Sequence, residues 1–156
     1  VTDIVFEEQA RLFVLLHAAA SVVLIGSSTH QTLVTIGTLR GVYRERLGRI
    51  YAATMLVAYL VTFALGAMAY PTYRYHVRGL YLDRYAPWAS NLFDIKENFA
   101  AIGLPLVVGA FILSRVMRPK QDRSMLLGYA LMVFLTAAIV WFNVISGLLI
   151  TMERGV

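Results

Sequence analysis

The sequence predicts an all-α, polytopic membrane protein: an antiparallel four-transmembrane-helix bundle, arranged as two hairpins, with an interfacial outer loop. Three observations predict it. The chain of 156 residues is 59% hydrophobic and has a mean hydropathy of +0.68, beyond the roughly 45–50% apolar usage of soluble domains. Four stretches, Leu12–Leu39, Ile50–Tyr70, Asn98–Ser114 and Met125–Ile150, come close to or exceed the ~20 mostly apolar residues that cross a bilayer, and they leave no length for a soluble domain. Finally, the charges sort by connection. "RGVYRERLGR" and "SRVMRPKQDR" hold eight of the fourteen basic residues and only two of the nine acids.

Basic short loops stay cytoplasmic because Lys and Arg resist translocation. The expected topology therefore has both termini outside, in the periplasm of a bacterial-type inner membrane, with the basic connections 40–49 and 115–123 in the cytoplasm. The net charge of +5 is read as this topology signal, with lipid attraction as a by-product. Nucleic acid is not an expected partner.

The expected helices are 3–38, 46–70, 90–117 and 123–151, in one transmembrane domain spanning 1–156. Helix 1 is expected to start near Asp3, with Glu7 and Glu8 beside its positive end. Its amino end has no basic region ahead of the apolar run, so it reads as a retained anchor. Pro71 is expected to end helix 2 at Tyr70, since the residue before a proline avoids helical geometry. Segment 71–89 is then the outer loop, an interfacial belt expected to be part helical, and Ser90 is a candidate N-cap for helix 3. Pro105 frees a carbonyl one turn back, which bundle neighbours can satisfy. "VFEEQARLF" and "LFDIKENFA" form a weak repeat ahead of the two hairpins. Duplication explains it, and so does any up-down bundle.

The outer loop alternates Tyr and Trp with Arg. Arg74, Tyr75, Arg78, Tyr81, Arg84 and Trp88 are the candidate interface residues. Such residues populate membrane interfaces and also anchor protein contacts.

Two of the three histidines, His17 and His30, lie within the first apolar run, "LHAAASVVLIGSSTH". An embedded imidazole is costly in lipid unless it is hydrogen-bonded or ligates something. Thirteen residues separate the two by about 20 Å in depth. Here the segment resembles the membrane cytochrome b-type subunits of respiratory complexes, in which one helix carries two haem-ligating histidines. The resemblance is partial. In that family the spacing is about fourteen residues, which leaves the two rings about 40° apart, whereas thirteen leave about 140°. The later apolar runs also contain no histidine to act as a partner.

What the resemblance implies is therefore reduced to one b-type haem, with His17 as the metal ligand and His76, Met68 or a histidine of another subunit as the second ligand. The alternative reading of His17 is a neutral imidazole hydrogen-bonded to helix 2 or helix 4. His30 and Gln31, in the polar stretch "GSSTHQT", are candidates for a quinone contact or for packing, with Thr54, Thr136 and Asn143 as partners by residue type. Across the headgroup region, Arg11 is a candidate partner for Glu97.

No catalytic constellation is present, and with no cysteine the chain can supply neither an iron–sulfur cluster nor a thiolate-bound metal. The expected function is a small membrane subunit of a larger complex, respiratory or photosynthetic. It would scaffold neighbouring integral membrane subunits, contact lipid, and hold one haem or touch quinone. A cofactor-free structural subunit or assembly factor is the alternative, and a homo-oligomeric small permease the second.

Overall fold

The computed structural model describes residues 4–154. Among them it is all helical, with four helices long and apolar enough to span a membrane. These are α1 (Ala10–Leu39), α2 (Glu45–Thr72), α4 (Pro87–Val116) and α5 (Arg123–Glu153), with a π-helical segment (Tyr73–Leu82) and the short α3 (Asp83–Tyr85) joining α2 to α4. Helix α1 packs most extensively on α2, and α4 on α5. Contacts of α5 with α1 and of α2 with α4 close the square.

Large apolar residues point outward and small or polar residues inward. Leu15, Val22 and Leu148 are more than 60% exposed, whereas Gln31, Ser28 and Thr136 are fully buried. That is the reverse of a water-soluble bundle, and it fits a protein whose surroundings are as apolar as its surface. The four apolar helices suggest a multi-pass membrane protein. A central core holds Leu24, Met55, Tyr59, Val107, Tyr129 and Val133. A second cluster, Val77, Leu82, Ala86, Ala89 and Ile150, seals the end where the π segment folds over α4.

Several boundaries differ from the sequence expectation. Asp3 lies outside the described residues, and α1 begins at Ala10 because turns occupy the preceding residues and Phe6 has φ 63°, which interrupts helical geometry. At its other end α1 closes through Gly41, at φ 89°. The Val42 N–H donates to the Gly37 carbonyl (2.9 Å) and the Gly41 N–H to the Thr38 carbonyl (3.0 Å). This double bond needs a left-handed residue, which glycine supplies without steric cost.

Segment 71–89, expected as a loop that is part helical, is almost wholly helical. Pro71 lies inside α2 and does not stop it. Beyond it the chain widens into a ten-residue π helix, a rare form normally confined to single bulges. At Gly79 a Cβ would come within 3.3 Å of the Arg74 carbonyl, so the bare residue lets this coil pass. The stop comes at Pro87. It forces Ala86 out of helical geometry (φ −142°, ψ 62°) and then opens α4 as its first residue. Ser90 is therefore inside α4, and its hydroxyl donates to the Asp83 carboxylate instead of capping a helix.

Close approach between α2 and α4 depends on Gly103. A Cβ there would collide with the phenol of Tyr59, whose hydroxyl donates to the Ala100 carbonyl (2.8 Å). At Gly109 the corresponding obstacle is only the Met132 thioether, which can swing aside. Gly103→Ala should therefore destabilise the bundle by about 1–3 kcal/mol through overpacking. Gly109→Ala should lie within ~1 kcal/mol of the parent, since helix propensity offsets the contact. Thermal unfolding in detergent, followed by circular dichroism, measures both.

Candidate functional site

The imidazoles of His17 and His30 diverge, as their angular separation on one helix requires. His17 is half-buried against α2, and its Nδ1–H donates to the Thr62 carbonyl (2.8 Å). A carbonyl only accepts, so the proton is on Nδ1. The ring fits because α2 presents Gly66 to it, where a Cβ would sit 3.1 Å from Cε1. His30 is exposed on the bundle surface. Its Nδ1–H donates to the Gly26 carbonyl one turn back (2.7 Å), and its ring stacks on Tyr51 of α2 with centroids 5.3 Å apart. In both residues one nitrogen is committed to backbone, and Nε2 makes no hydrogen bond among the described residues.

Gln31 leaves His30 and turns inward. It is fully buried and meets the hydroxyl of Tyr129 on α5, while its Oε1 has no partner. Of the partners expected by type, Thr54 donates to the carbonyl of Ile50 in its own helix, and Thr136 Oγ1 and Asn143 Oδ1 are unpaired. Sequence reasoning missed Tyr129. The available signal was that it is the one tyrosine in the last apolar run. Around Gln31, the hydroxyls of Ser28, Thr32 and Thr35 bond back to carbonyls of the preceding turn, which makes them cheap to bury. Trp141 of α5 donates from Nε1 to the Thr29 hydroxyl (3.1 Å), so polar bonds tie α1 to α5 at two places.

The two residues named as second haem ligands do not converge on His17. His76 Nε2 is 2.7 Å from a carboxylate oxygen of Glu7. Met68 is half-buried on α2, two residues past Gly66, and two residues are about 200° around a helix, which turns it away from the edge His17 touches. Among the described residues no group of three or more His, Asp or Glu side chains is placed to hold a metal ion.

At the end of the bundle that carries the π segment, the six interface candidates divide. Arg74, Tyr75, Arg84 and Trp88 are exposed. Arg78 instead grips Asp94 with both terminal nitrogens (2.5 and 2.8 Å) and lies 3.7 Å from Asp83, locking the π segment onto α4. Tyr81 is half-buried beneath the Arg154 guanidinium, 5.2 Å from its ring. Arg11 and Glu97 form no ion pair among the described residues, and it is Arg78 that claims the carboxylate one turn before Glu97.

Comparison of the chain with protein-family models, curated proteins and solved structures finds no match. The site must be read from its own chemistry. A backbone-bound Nδ1–H with a free Nε2 is the arrangement of a metal-ligating imidazole, whose second nitrogen is usually oriented by a carbonyl or carboxylate. The same arrangement also offers a hydrogen-bond acceptor to a hydroxyl.

Two measurements check this geometry. In Gly66→Val the added side chain should expel the His17 ring, so the Nδ1 proton, protected from exchange in the parent, should exchange freely in the imidazole nitrogen spectrum. A double-mutant cycle of Gln31→Leu with Tyr129→Phe should give a coupling of about 0.6–2 kcal/mol, the usual worth of a hydrogen bond between membrane helices.

Proposed function

We propose that the protein is a small integral membrane subunit of a larger complex of the respiratory or photosynthetic electron-transfer kind. Its four helices cross a bacterial-type inner membrane as two hairpins, with both ends outside and the Arg-rich turns in the cytoplasm. Within the complex it scaffolds neighbouring membrane subunits, presents His17 to one b-type haem, and offers His30 to a quinol.

The observation that carries this reading is the pair of embedded imidazoles, each with Nδ1–H bound to backbone and Nε2 left over. Imidazole is expensive in hydrocarbon, and neither ring finds a partner for Nε2 among the described residues. His17 suits ligation of haem iron, and haem would supply one-electron transfer there. A second ligand would come from a partner subunit, because His76 and Met68 are turned elsewhere. His30, at the surface and stacked on Tyr51, suits acceptance of a quinol hydroxyl proton in a hydrogen bond. The exposed Arg74, Tyr75, Arg84 and Trp88 are the composition that anchors a neighbour.

A second reading, a cofactor-free structural subunit or assembly factor, is favoured by the fit of His17 against Gly66, which needs no cofactor to explain it.

The test is purification of the complex from a membrane that expresses the tagged chain, followed by a reduced-minus-oxidised spectrum. A b-type α-band and Soret that disappear in His17→Ala support the first reading. Stoichiometric partners without colour support the second. Uptake by liposomes holding this chain alone would overturn both in favour of a homo-oligomeric permease. Single cysteines at Arg46 and Lys120 should resist an impermeant thiol reagent in intact cells, while a cysteine at Arg84 should react. The opposite pattern would invert the topology.

A further inference from the structure

Where α1 begins and α5 finishes, the bundle holds a cavity of about 410 Å³ lined by Glu7, Glu8, Arg11, Thr72, His76 and Arg154 over the apolar Ala10 and Val77. Its volume is in the range of small-molecule sites. Thr72 sets it apart from a mere surface dent. The residue is 4% exposed, yet its hydroxyl has no hydrogen-bond partner among the described residues; the Thr62 and Thr136 hydroxyls share that state, but neither lines this cavity. The hydroxyls of Thr32, Thr35, Thr38, Thr54 and Thr151 all donate to the carbonyl four residues back. Thr72 does not, and a buried hydroxyl left unmatched destabilises a fold unless something else occupies its place.

The charges around it define what that occupant is. Glu7 is engaged by His76 at 2.7 Å. Arg154 rests on the Tyr81 ring, which orients the guanidinium without neutralising it. Among the described residues Glu8, Arg11 and Arg154 form no ion pair. Two carboxylates and two guanidiniums cancel when His76 is neutral, so the lining matches a ligand that carries both signs and has no net charge. Guanidinium forks are suited to phosphate. A free carboxylate beside them is suited to an ammonium that can donate hydrogen bonds. No Trp, Tyr or Phe lines the cavity, so the aromatic cage that a quaternary ammonium prefers is missing.

We propose that this cavity binds a zwitterion bearing a primary ammonium and a phosphate, the chemistry of an ethanolamine phospholipid headgroup. Arg11 and Arg154 hold the phosphate, Glu8 takes the ammonium, and the Thr72 hydroxyl donates to a phosphate oxygen. The source as a lipid rests on the reading of the four helices as membrane spans, whose ends lie at headgroup depth. The headgroup chemistry does not depend on that reading, nor on any role for His17 or His30.

The experiment uses the full chain in detergent micelles, titrated with dihexanoyl phosphatidylethanolamine, the matching phosphatidylcholine and phosphatidylglycerol, and free phosphoethanolamine, with binding read by the shift in melting temperature and by native mass spectrometry. Phosphatidylethanolamine should bind saturably and about tenfold more tightly than either other lipid, as expected when one charge-assisted contact is lost. Arg11→Gln combined with Arg154→Gln should remove binding of all phosphate ligands, and Glu8→Gln should erase the preference over phosphatidylcholine. Thr72→Val, which keeps shape and removes only the hydroxyl, should weaken binding while leaving the ligand-free protein as stable as the parent or more so. Phosphoethanolamine binding as tightly as the lipid would support the headgroup chemistry and assign the occupant to a soluble molecule. Equal retention of the three lipids, or binding unchanged in both the arginine and the Thr72 variants, would overturn the proposal. None of these readouts involves a chromophore or a partner subunit, so the proposal stands or falls separately from the electron-transfer reading.

Discussion

A polar atom between the long helices costs least when another atom of the protein satisfies it, and many features of this bundle follow from that pressure, although Gln31 Oε1, Thr136 Oγ1 and Asn143 Oδ1 stay unpaired among the described residues. Where the surroundings are apolar, no solvent competes for a backbone carbonyl or a side-chain amide. The chain meets the demand locally wherever it can. Ser27, Ser28, Thr32, Thr35, Thr38 and Thr54 all turn their hydroxyls back on the preceding turn. The groups that reach across are larger and set the helix partners: His17 to α2, Gln31 to α5, Trp141 of α5 to α1, and Tyr59 to α4. The apolar residues add bulk and surface but little choice of partner, since Leu on Leu is no better than Leu on lipid.

Packing and hydrogen bonding meet at the glycines. Gly66 admits an imidazole and Gly103 a phenol, and in each case the entering ring bonds a carbonyl of the same helix that carries the glycine. A side chain in place of either hydrogen would cost the contact and the bond together. At the end that carries the π segment a different device operates, because there the charged side chains are partly exposed. The two-pronged grip of Arg78 on Asp94 holds the π segment over α4, and Val77 and Leu82 of that segment are buried beneath it.

The presence of four long apolar helices was legible in the sequence because hydropathy and length alone decide it. So was the divergence of His17 and His30, which is set by the helical angle of thirteen residues. The partner of His17 was narrowed to two helices, and α2 supplies it. Other features had no local signature. The π segment reads as a loop, since Pro71 and alternating Tyr and Arg look like a break, and what keeps it coiled is a carboxylate sixteen residues onward. The late start of α1 depends on the backbone of Phe6, a residue type that gives no warning of positive φ. Gln31 announced that it needed a partner, but residue type favoured Thr and Asn over the Tyr129 it meets. The outer cavity was invisible because Thr72, Glu8, Arg11 and Arg154 come from three separate parts of the chain.

The seat of His17 on α2 also sets a vertical register. Its Nδ1–H can reach Thr62 only while the ring lies in the notch at Gly66, and the neighbouring glycine of α2 is eighteen residues away, at Gly48. A slide of one helical turn, about 5.4 Å, would press the imidazole against a side chain and strand its proton. The first two helices thus behave as a keyed pair, unable to piston past one another. A slide of α1 along α2 therefore forfeits the notch and its hydrogen bond at once.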